Sequence, residues 1–600
     1  MCGISGIYNY LDKKVNSRSI IQKIIEIQNL RGPDDKGIWE SECKKICFGH
    51  NRLSIIDLTK DASQPFISID NNFVISFNGE IYNFKEIKEE LLKKNIKFKS
   101  NSDTEVIIES YKYWGLEFYK KLRGMFAFAI WDINNKKLIL ARDPFGIKPL
   151  YYTIKNNIYY FASQIRSLLS INDISSNKNN SSIVDFYLWG SIQEPRTLYK
   201  DIKSLEKGSC LIIDENGVEK KSYFANIKEE IINSSSLNFK NKNESIEYLS
   251  EIFNETIKYH QVSDVPVTFL LSSGIDSSSI LASIKNKNNC SALTLDLDTK
   301  DMIMDEKLLA TETAKINNIP HKIIKLTDEE ILQNIETFYK NMDSPTNDGL
   351  NNFLISKVAK KNGSKVIISG IGGDEFFYGY PSFKNINLAN NLLKLVPNFK
   401  MIDNFSKKSF YNFLKTRKLN TKYSGVYDYG RNISKGFLLQ RSLFLPHEIE
   451  DILSPNIFKT AWDELNIIDN LNNDIENFKE KKLSIMYLEI KYYLTSKLLK
   501  DSDWTSMSNS VEMRTPFIDW EFFKKLIPFL KSNIDINKKL LLDCVKDKVP
   551  KELYKRKKTG FGIPHKNYLE KISKQKMKYS HSIKDWSLFS YRKYLENYVK

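Results

Sequence analysis

Cys2 stands directly behind Met1 in the string Met1-Cys2-Gly3-Ile4-Ser5-Gly6-Ile7. Removal of Met1 would leave one residue carrying both a thiol and a free α-amine. An α-amino group titrates near ~7.7–8.0 and a thiol near ~8.5, so the amine, directly or through a water, can take the thiol proton. Nucleophile and base then share a residue. A thiol attacking an amide also needs donors for the oxyanion that develops. Asn78 offers a side-chain NH2 and Gly79 a backbone N–H, although an Asn-Gly pair taken alone also fits a type I′ hairpin turn. To hold the charged ends of an amino-acid substrate, Arg52 brings a bidentate fork, and Glu80 and Asp103 bring acceptors for an ammonium. A second chemistry lies further along, in Ser272-Ser273-Gly274-Ile275-Asp276-Ser277-Ser278. A loop of small residues between a strand and a helix aims backbone N–H groups at an anion. No lysine follows the glycine, so the Walker pattern fails.

These residues need elements to position them. Residues 2 to about 165 read as strands broken by turns, with apolar or alternating runs at 73–77, 125–131 and 137–141. Two helices interrupt them. One runs over 17–30 with Ile20, Ile21, Ile24 and Ile27 in phase, and one opens at Asp103-Thr104-Glu105, where acids suit a helix N-terminus. This mixture predicts an α+β layered sandwich. From about 166 to 245 the chain is rich in Asn, Ser and Lys and reads as a junction; beyond it, strands alternate with helices. The run 265–271 is a buried strand leading into the serine loop, with a helix expected from Ser279 to about Ile284. A second strand, 365–368, ends in Ser369-Gly370-Ile371-Gly372-Gly373-Asp374. If both strands share a parallel sheet, both loops open at its C-terminal edge. Asp276 and Asp374 then converge as oxygen ligands for Mg²⁺ on phosphate groups.

Composition sets the frame. A chain of 600 residues holds two to four domains. Apolar residues make up 41%, enough for globular cores, and no apolar run approaches a membrane span. No signal-peptide pattern is read at the start, and six scattered cysteines suit a reducing cytoplasm rather than a disulfide framework. Cys43, Cys47 and His50 lack further ligands at finger-like spacing. The net charge of +17 comes from dispersed lysines. Without a zinc-finger spacing or reader motif it predicts solvated surface and a welcome for anionic substrates, not a nucleic-acid partner.

Taken together, Met1-Cys2-Gly3-Ile4, Arg31-Gly32-Pro33-Asp34, 50–57 (His-Asn-Arg-Leu-Ser-Ile-Ile-Asp), 77–83 (Phe-Asn-Gly-Glu-Ile-Tyr-Asn), Ser102-Asp103-Thr104-Glu105 and 141–152 resemble the class II glutamine amidotransferases. Their domain is an N-terminal-nucleophile (Ntn) hydrolase sandwich. The resemblance implies that Cys2 attacks the glutamine amide, with Arg52, Asn78, Gly79, Glu80 and Asp103 holding the substrate. The serine loop resembles the PP-loop of the ATP pyrophosphatases, usually Ser-Gly-Gly-x-Asp-Ser, with Ser273 in place of the first glycine. The strings 501–508, 510–519 and 556–564 resemble the mainly helical C-terminal half of glutamine-hydrolysing asparagine synthetases. The implied architecture is an Ntn sandwich over 2–215, a junction over 216–245, an α/β PP-loop domain with a mainly helical C-terminal part over 246–570, and an unassigned lysine-rich tail over 571–600. The implied ATP-binding set is Leu270, Leu271, Ser272, Ser273, Gly274, Asp276, Ser277, Leu295, Ser369 and Gly370. Lys558 would neutralise the adenylate and the departing pyrophosphate, with ATP as co-substrate and Mg²⁺ on Asp276 and Asp374.

The reaction so implied forms an acyl-AMP from a carboxylate and then an amide with glutamine-derived ammonia, aspartate being the first acceptor to consider. One departure bears on the acceptor. Asparagine synthetases commonly carry Glu between the glycines where this chain has Ile371, and isoleucine does no acid–base chemistry. Gln164 and Arg166 likewise stand where Glu and Lys are usual. Three readings follow: asparagine synthesis; the same mechanism on another carboxylate, such as a sugar acid for a surface polysaccharide; and a non-catalytic scaffold, against which Cys2, Asn78, Asp276, Asp374 and Lys558 all speak. The expected partners are small molecules, with no nucleic acid and no membrane, and a homodimer is allowed.

Overall fold

The computed structural model describes residues 2–11, 13–297, 304–394, 404–417, 421–556, 565–573 and 582–598. Twelve strands build the N-terminal part: β1 (Gly3–Tyr8), β2 (Asp35–Glu40), β3 (Ile46–Arg52), β4 (Phe66–Ile67), β5 (Phe73–Ile81), β6 (Gly124–Asp132), β7 (Lys137–Arg142), β8 (Tyr151–Lys155), β9 (Ile158–Ala162), β10 (Lys203–Ser204), β11 (Ser209–Ile213) and β12 (Glu219–Tyr223). They form two six-stranded sheets, ordered β10-β8-β9-β1-β3-β2 and β12-β11-β7-β6-β5-β4. All neighbouring strands in both pair antiparallel.

Alternation along these strands explains the stacking. Ile4, Tyr8, Phe48, Tyr159 and Phe161 of the first sheet share one buried cluster with Val74, Ala127, Ala129, Trp131, Leu138 and Leu140 of the second. The opposite faces are covered by helices. Helix α1 (Ser17–Ile27), capped by Asn16, buries Ile21, Ile24 and Ile25 in the cluster that also holds Ile7 and Cys47. Helix α2 (Asp103–Trp114), capped by Ser102, buries Val106, Ile107 and Ile108 with Ile75 and Phe77. The layers run helix, sheet, sheet, helix. Asn78-Gly79 is therefore no hairpin turn: it lies inside the nine-residue β5, opposite Ala127 and Phe126 of β6.

The second unit carries the parallel sheet. Strands β13 (Val267–Leu270), β14 (Cys290–Leu297), β15 (His321–Leu326), β16 (Val366–Ile368) and β17 (Glu512–Arg514) lie in the order β15-β14-β13-β16-β17. β13 and β16 are neighbours, so the two loops expected to converge leave the same edge side by side. Helix α3 (Ile275–Ala282) begins four residues before the sequence pattern predicts. Ser277 supplies the reason: its hydroxyl donates to Ser272 O at 2.9 Å, closing the loop early and placing Asp276 in the first helical turn.

Two stretches carry more structure than expected. Within 216–245, read as a junction, β12 completes the second sheet and Ile227–Asn233 is helical. Within the unassigned tail, Ser582–Tyr598 is a helix seated in the body of the protein. Tyr591 packs on Phe186, Ser590 Oγ donates to Thr346 O at 2.5 Å, and Lys584 pairs with Glu448 at 2.6 Å. Its lysine content hid these buried aromatic positions. Among the described residues no helix is long and apolar enough to cross a membrane.

Candidate active sites

Cys2 precedes β1 at the mouth of the sandwich, 7% exposed. Its backbone N–H donates to Asn78 Oδ1 at 3.0 Å, linking the two sheets at the candidate nucleophile. The same amide's Nδ2 is buried and has no hydrogen-bond partner among the described residues. An unsatisfied buried donor costs about 1–3 kcal/mol, so this NH2 is held ready for an acceptor the ligand must bring. Gly79 follows with no room for a side chain, since a Cβ there would lie 2.1 Å from Met125 O. Burial pushes the Cys2 thiol up, against the nearby positive charge of the N-terminus and Arg52. Attack therefore needs a base. His50, on the neighbouring strand, is held neutral by burial, its pKa down at about 3, and shares a hydrogen bond with Phe77 O at 3.0 Å.

Of the residues expected to hold the substrate, Arg52 is fixed by donating to Thr59 O at 2.8 Å and to Asp57 O. Asp103 begins α2, and its Oδ2 accepts the Ile81 N–H at 3.0 Å. Burial lifts Asp103 to about 6, and burial with the Glu512 carboxylate lifts Glu80 well above the carboxylate range. Two buried carboxyls raised in this way would be relieved by a bound ammonium.

The second unit reaches into this pocket, which sequence reasoning did not foresee. Arg514 on β17 ion-pairs with Glu512 at 2.6 Å and extends Nη2 to 3.4 Å from Glu80. Glu512, the nearer partner, is held down at about 2 against the cost of burial, leaving the proton to Glu80. Arg31 makes a second bridge. Its Nε donates to Cys2 O at 3.1 Å, and its Nη1 and Nη2 grip Asp503 at 2.8 and 3.3 Å. Asp503 belongs to the helix Leu499–Met507 of the second unit, and fully buried Lys148 stands 3.6 Å from it. The Cys2 backbone is thus tied across the domain boundary.

The nucleotide-type site is a cavity of about 600 Å³ at the C-terminal edge of β13 and β16. Leu270, Leu271, Ser272, Ser273, Gly274, Asp276, Ser277, Leu295, Ser369 and Gly370 all line it, with Ile371 and Asp374. Ser272 and Ser277 brace the loop: Ser272 Oγ accepts the Gly274 N–H at 3.1 Å, and the two hydroxyls lie 2.9 Å apart. Ser273 fits where a glycine is usual, 2% exposed, its hydroxyl without a partner among the described residues. Gly373 must lack a side chain, because a Cβ would fall 2.2 Å from Asp276 Oδ1.

Between the two carboxylates lies a residue that the sequence did not single out. Lys538 Nζ donates to Asp276 Oδ2 at 2.6 Å and also to Asp374 Oδ1. Among the described residues no group of three or more His, Cys, Asp or Glu is arranged to hold a metal. A Mg²⁺ ion takes one or two carboxylates and completes its shell with phosphate oxygens and water. The pair Asp276 and Asp374 fits that demand, and Lys538 adds a positive charge between them. Lys558 lies outside the described residues. Arg556, just before it, pairs with Glu306 on the cavity wall.

The glutamine amidotransferase domain family matches residues 1–224, and the asparagine synthase family matches 248–599, more than half of the chain. The chain is 31% identical to asparagine synthetase [glutamine-hydrolyzing] 1 of Bacillus subtilis, over 95% of this chain and 88% of that protein. It is 27% identical to amidase chry2 of Gibberella zeae, over 94% and 89%. A glutamine phosphoribosylpyrophosphate amidotransferase structure from B. subtilis overlaps 54% of this chain and 65% of that one, at 18% identity and a TM-score of 0.29. The chain belongs to the asparagine synthase family and is a glutamine-dependent amidotransferase.

Proposed function

We propose that this protein hydrolyses glutamine at Cys2 and uses the ammonia to amidate a carboxylate that it activates with ATP. The observation that carries the reading is the pairing of two sites across one buried boundary. Asn78 Nδ2 is poised and unpartnered beside Cys2, and the Ser272–Ser277 loop meets Asp276 and Asp374 at the parallel-sheet edge. At the first site the Cys2 sulfur adds to the glutamine Cδ while its proton passes to a base. Asn78 and Gly79 N–H groups take the developing oxyanion, ammonia leaves with a proton, and water releases glutamate from the thioester. Arg52 receives the substrate carboxylate; Glu80 and Asp103 receive its ammonium.

At the second site a carboxylate oxygen attacks the α-phosphorus of ATP and pyrophosphate leaves. Ammonia then attacks the acyl carbon, and AMP departs with the former carboxylate oxygen. Lys538 and the loop N–H groups hold the phosphates and offset their charge, and Lys558 is assigned the same task. Mg²⁺ held by Asp276 and Asp374 would supply charge neutralisation on the β- and γ-phosphates.

The first acceptor is L-aspartate, giving L-asparagine, L-glutamate, AMP and pyrophosphate; the Bacillus subtilis relative supports it. A second reading keeps the mechanism and changes the carboxylate. Ile371 favours it, because an apolar side chain lines the cavity where acid–base chemistry would serve an incoming amine. Incubation of the full chain with glutamine, ATP, Mg²⁺ and aspartate separates the two. Asparagine formed in step with AMP supports aspartate; glutamine hydrolysis without asparagine or AMP removes it and leaves the second reading.

A further inference from the structure

A cavity of about 710 Å³ adjoins the nucleotide site. Asn351 lines both, and the wall between them is a stack: Arg441 sits over Tyr380, which faces the nucleotide cavity, and over Tyr493, which faces the second. The volume falls in the range of sites that enclose molecules of cofactor size; an amino acid as small as aspartate would leave most of it unfilled.

Its chemistry is aromatic and cationic. Trp189, Phe437, Tyr492 and Tyr493 supply flat faces, and Lys422, Arg441, Lys497 and Lys584 supply charge, against Asp348 on the wall. Two of the cations are neutralised from behind, Lys584 by Glu448 at 2.6 Å and Arg441 by Glu489 at 2.7 Å. Lys497, 8% exposed, forms no ion pair among the described residues. Lys422 donates to Gln440 O at 2.8 Å; burial and then the charges of Lys584 and Arg441 lower its pKa to about 8, against Glu448. Asp348 and Asp501 oppose the lowering at Lys497, which burial dominates. Lysine and arginine side chains thus line a cavity with ring-shaped walls.

We propose that this cavity is the distal part of the acceptor site and takes the body of a carboxylate substrate larger than an amino acid, carrying a ring and a second anionic group held by Lys422 and Lys497. The proposal rests on the second reading above, in which the acceptor is not aspartate. The substrate's own carboxylate would reach past Asn351 to the α-phosphate, and its ring would lie against Trp189 and Tyr492. A carboxylated sugar phosphate has this chemistry.

The test is binding, measured without turnover. The full chain is titrated calorimetrically with D-glucuronic acid 1-phosphate, a carboxylate and a phosphate on one ring, with and without a non-hydrolysable ATP analogue. Saturable binding is expected in both conditions, weakened roughly ten- to hundredfold in Lys422→Ala and in Lys497→Ala and largely restored in Lys422→Arg. Unchanged glutamine hydrolysis reports that each variant is folded; if an alanine variant fails that check, Lys422→Gln or Lys497→Gln replaces it. No saturable binding by the parent chain, equal binding by the lysine variants, or displacement by the ATP analogue would overturn the assignment. Failure here with asparagine formed in step with AMP removes this proposal together with the second reading and leaves the amidotransferase mechanism standing, whereas absence of AMP formation with any carboxylate offered condemns the amidotransferase reading itself.

Discussion

Replacing Asn78 by alanine separates catalysis from stability in a way the structure makes quantitative. The side chain has two roles: Oδ1 accepts the Cys2 N–H at 3.0 Å, and Nδ2 is buried without a partner among the described residues. Losing the first interaction costs about 0.5–1.5 kcal/mol, while deleting an unsatisfied amide recovers about 1–3 kcal/mol. The terms oppose each other, so folding stability should fall by no more than about 0.5 kcal/mol and could rise by up to about 2.5 kcal/mol. Catalysis has no such offset. A missing oxyanion donor lowers kcat by roughly 10²–10³, about 2.7–4 kcal/mol of barrier. Steady-state glutamate production should therefore show a collapsed kcat with KM little changed, urea unfolding should show no loss of stability beyond about 0.5 kcal/mol, and ammonium-driven amide synthesis should be intact. A variant whose kcat stays within about threefold of the parent, or whose loss lies mainly in KM, would remove Asn78 from the oxyanion site.

Asp103, lifted by burial to about 6, gives a pH signature. As pH falls through that value it protonates and ceases to accept the substrate ammonium, so kcat/KM for glutamine should decline on the acid side near pH 6. Asp103→Asn should lower the plateau and abolish that limb; a limb that survives the substitution belongs to another group. Lys538→Ala should cut acceptor-dependent pyrophosphate release by at least about tenfold, from lost charge-assisted phosphate contacts, while glutamine hydrolysis stays near the parent rate. Equal loss at both sites would make Lys538 a structural counter-ion. Asp503→Ala strands buried Arg31, so equilibrium unfolding should report a loss of about 3–5 kcal/mol; a loss under about 1 kcal/mol would show that the bridge is not what joins the units.

Where the candidate groups are local, the sequence brought them to notice. Cys2, the Asn78-Gly79-Glu80 string and the Ser272–Ser277 loop each hold their groups within a few positions, and helix and strand ends follow from capping and alternation. What stayed hidden depends on long separation. Lys538 is 262 positions from Asp276, and Arg31 is 472 from Asp503. Among 90 lysines and arginines no composition or spacing singles these out. Arg514 was legible only as part of a family-like string, because its role arises where β17 meets the end of β5. The helix Ser582–Tyr598 was hidden differently: its lysines suggested a solvated tail, while Trp586, Tyr591 and Tyr594 are buried.

The central claim is a division of labour between two sites, and Cys2→Ala tests it most directly. With glutamine as nitrogen source this variant should form no amide and no glutamate. With ammonium chloride in its place, amide, AMP and pyrophosphate should appear at close to the parent's ammonium-driven rate. Glutamate still produced from glutamine, or ammonium-driven synthesis lost together with glutamine use, would contradict the account.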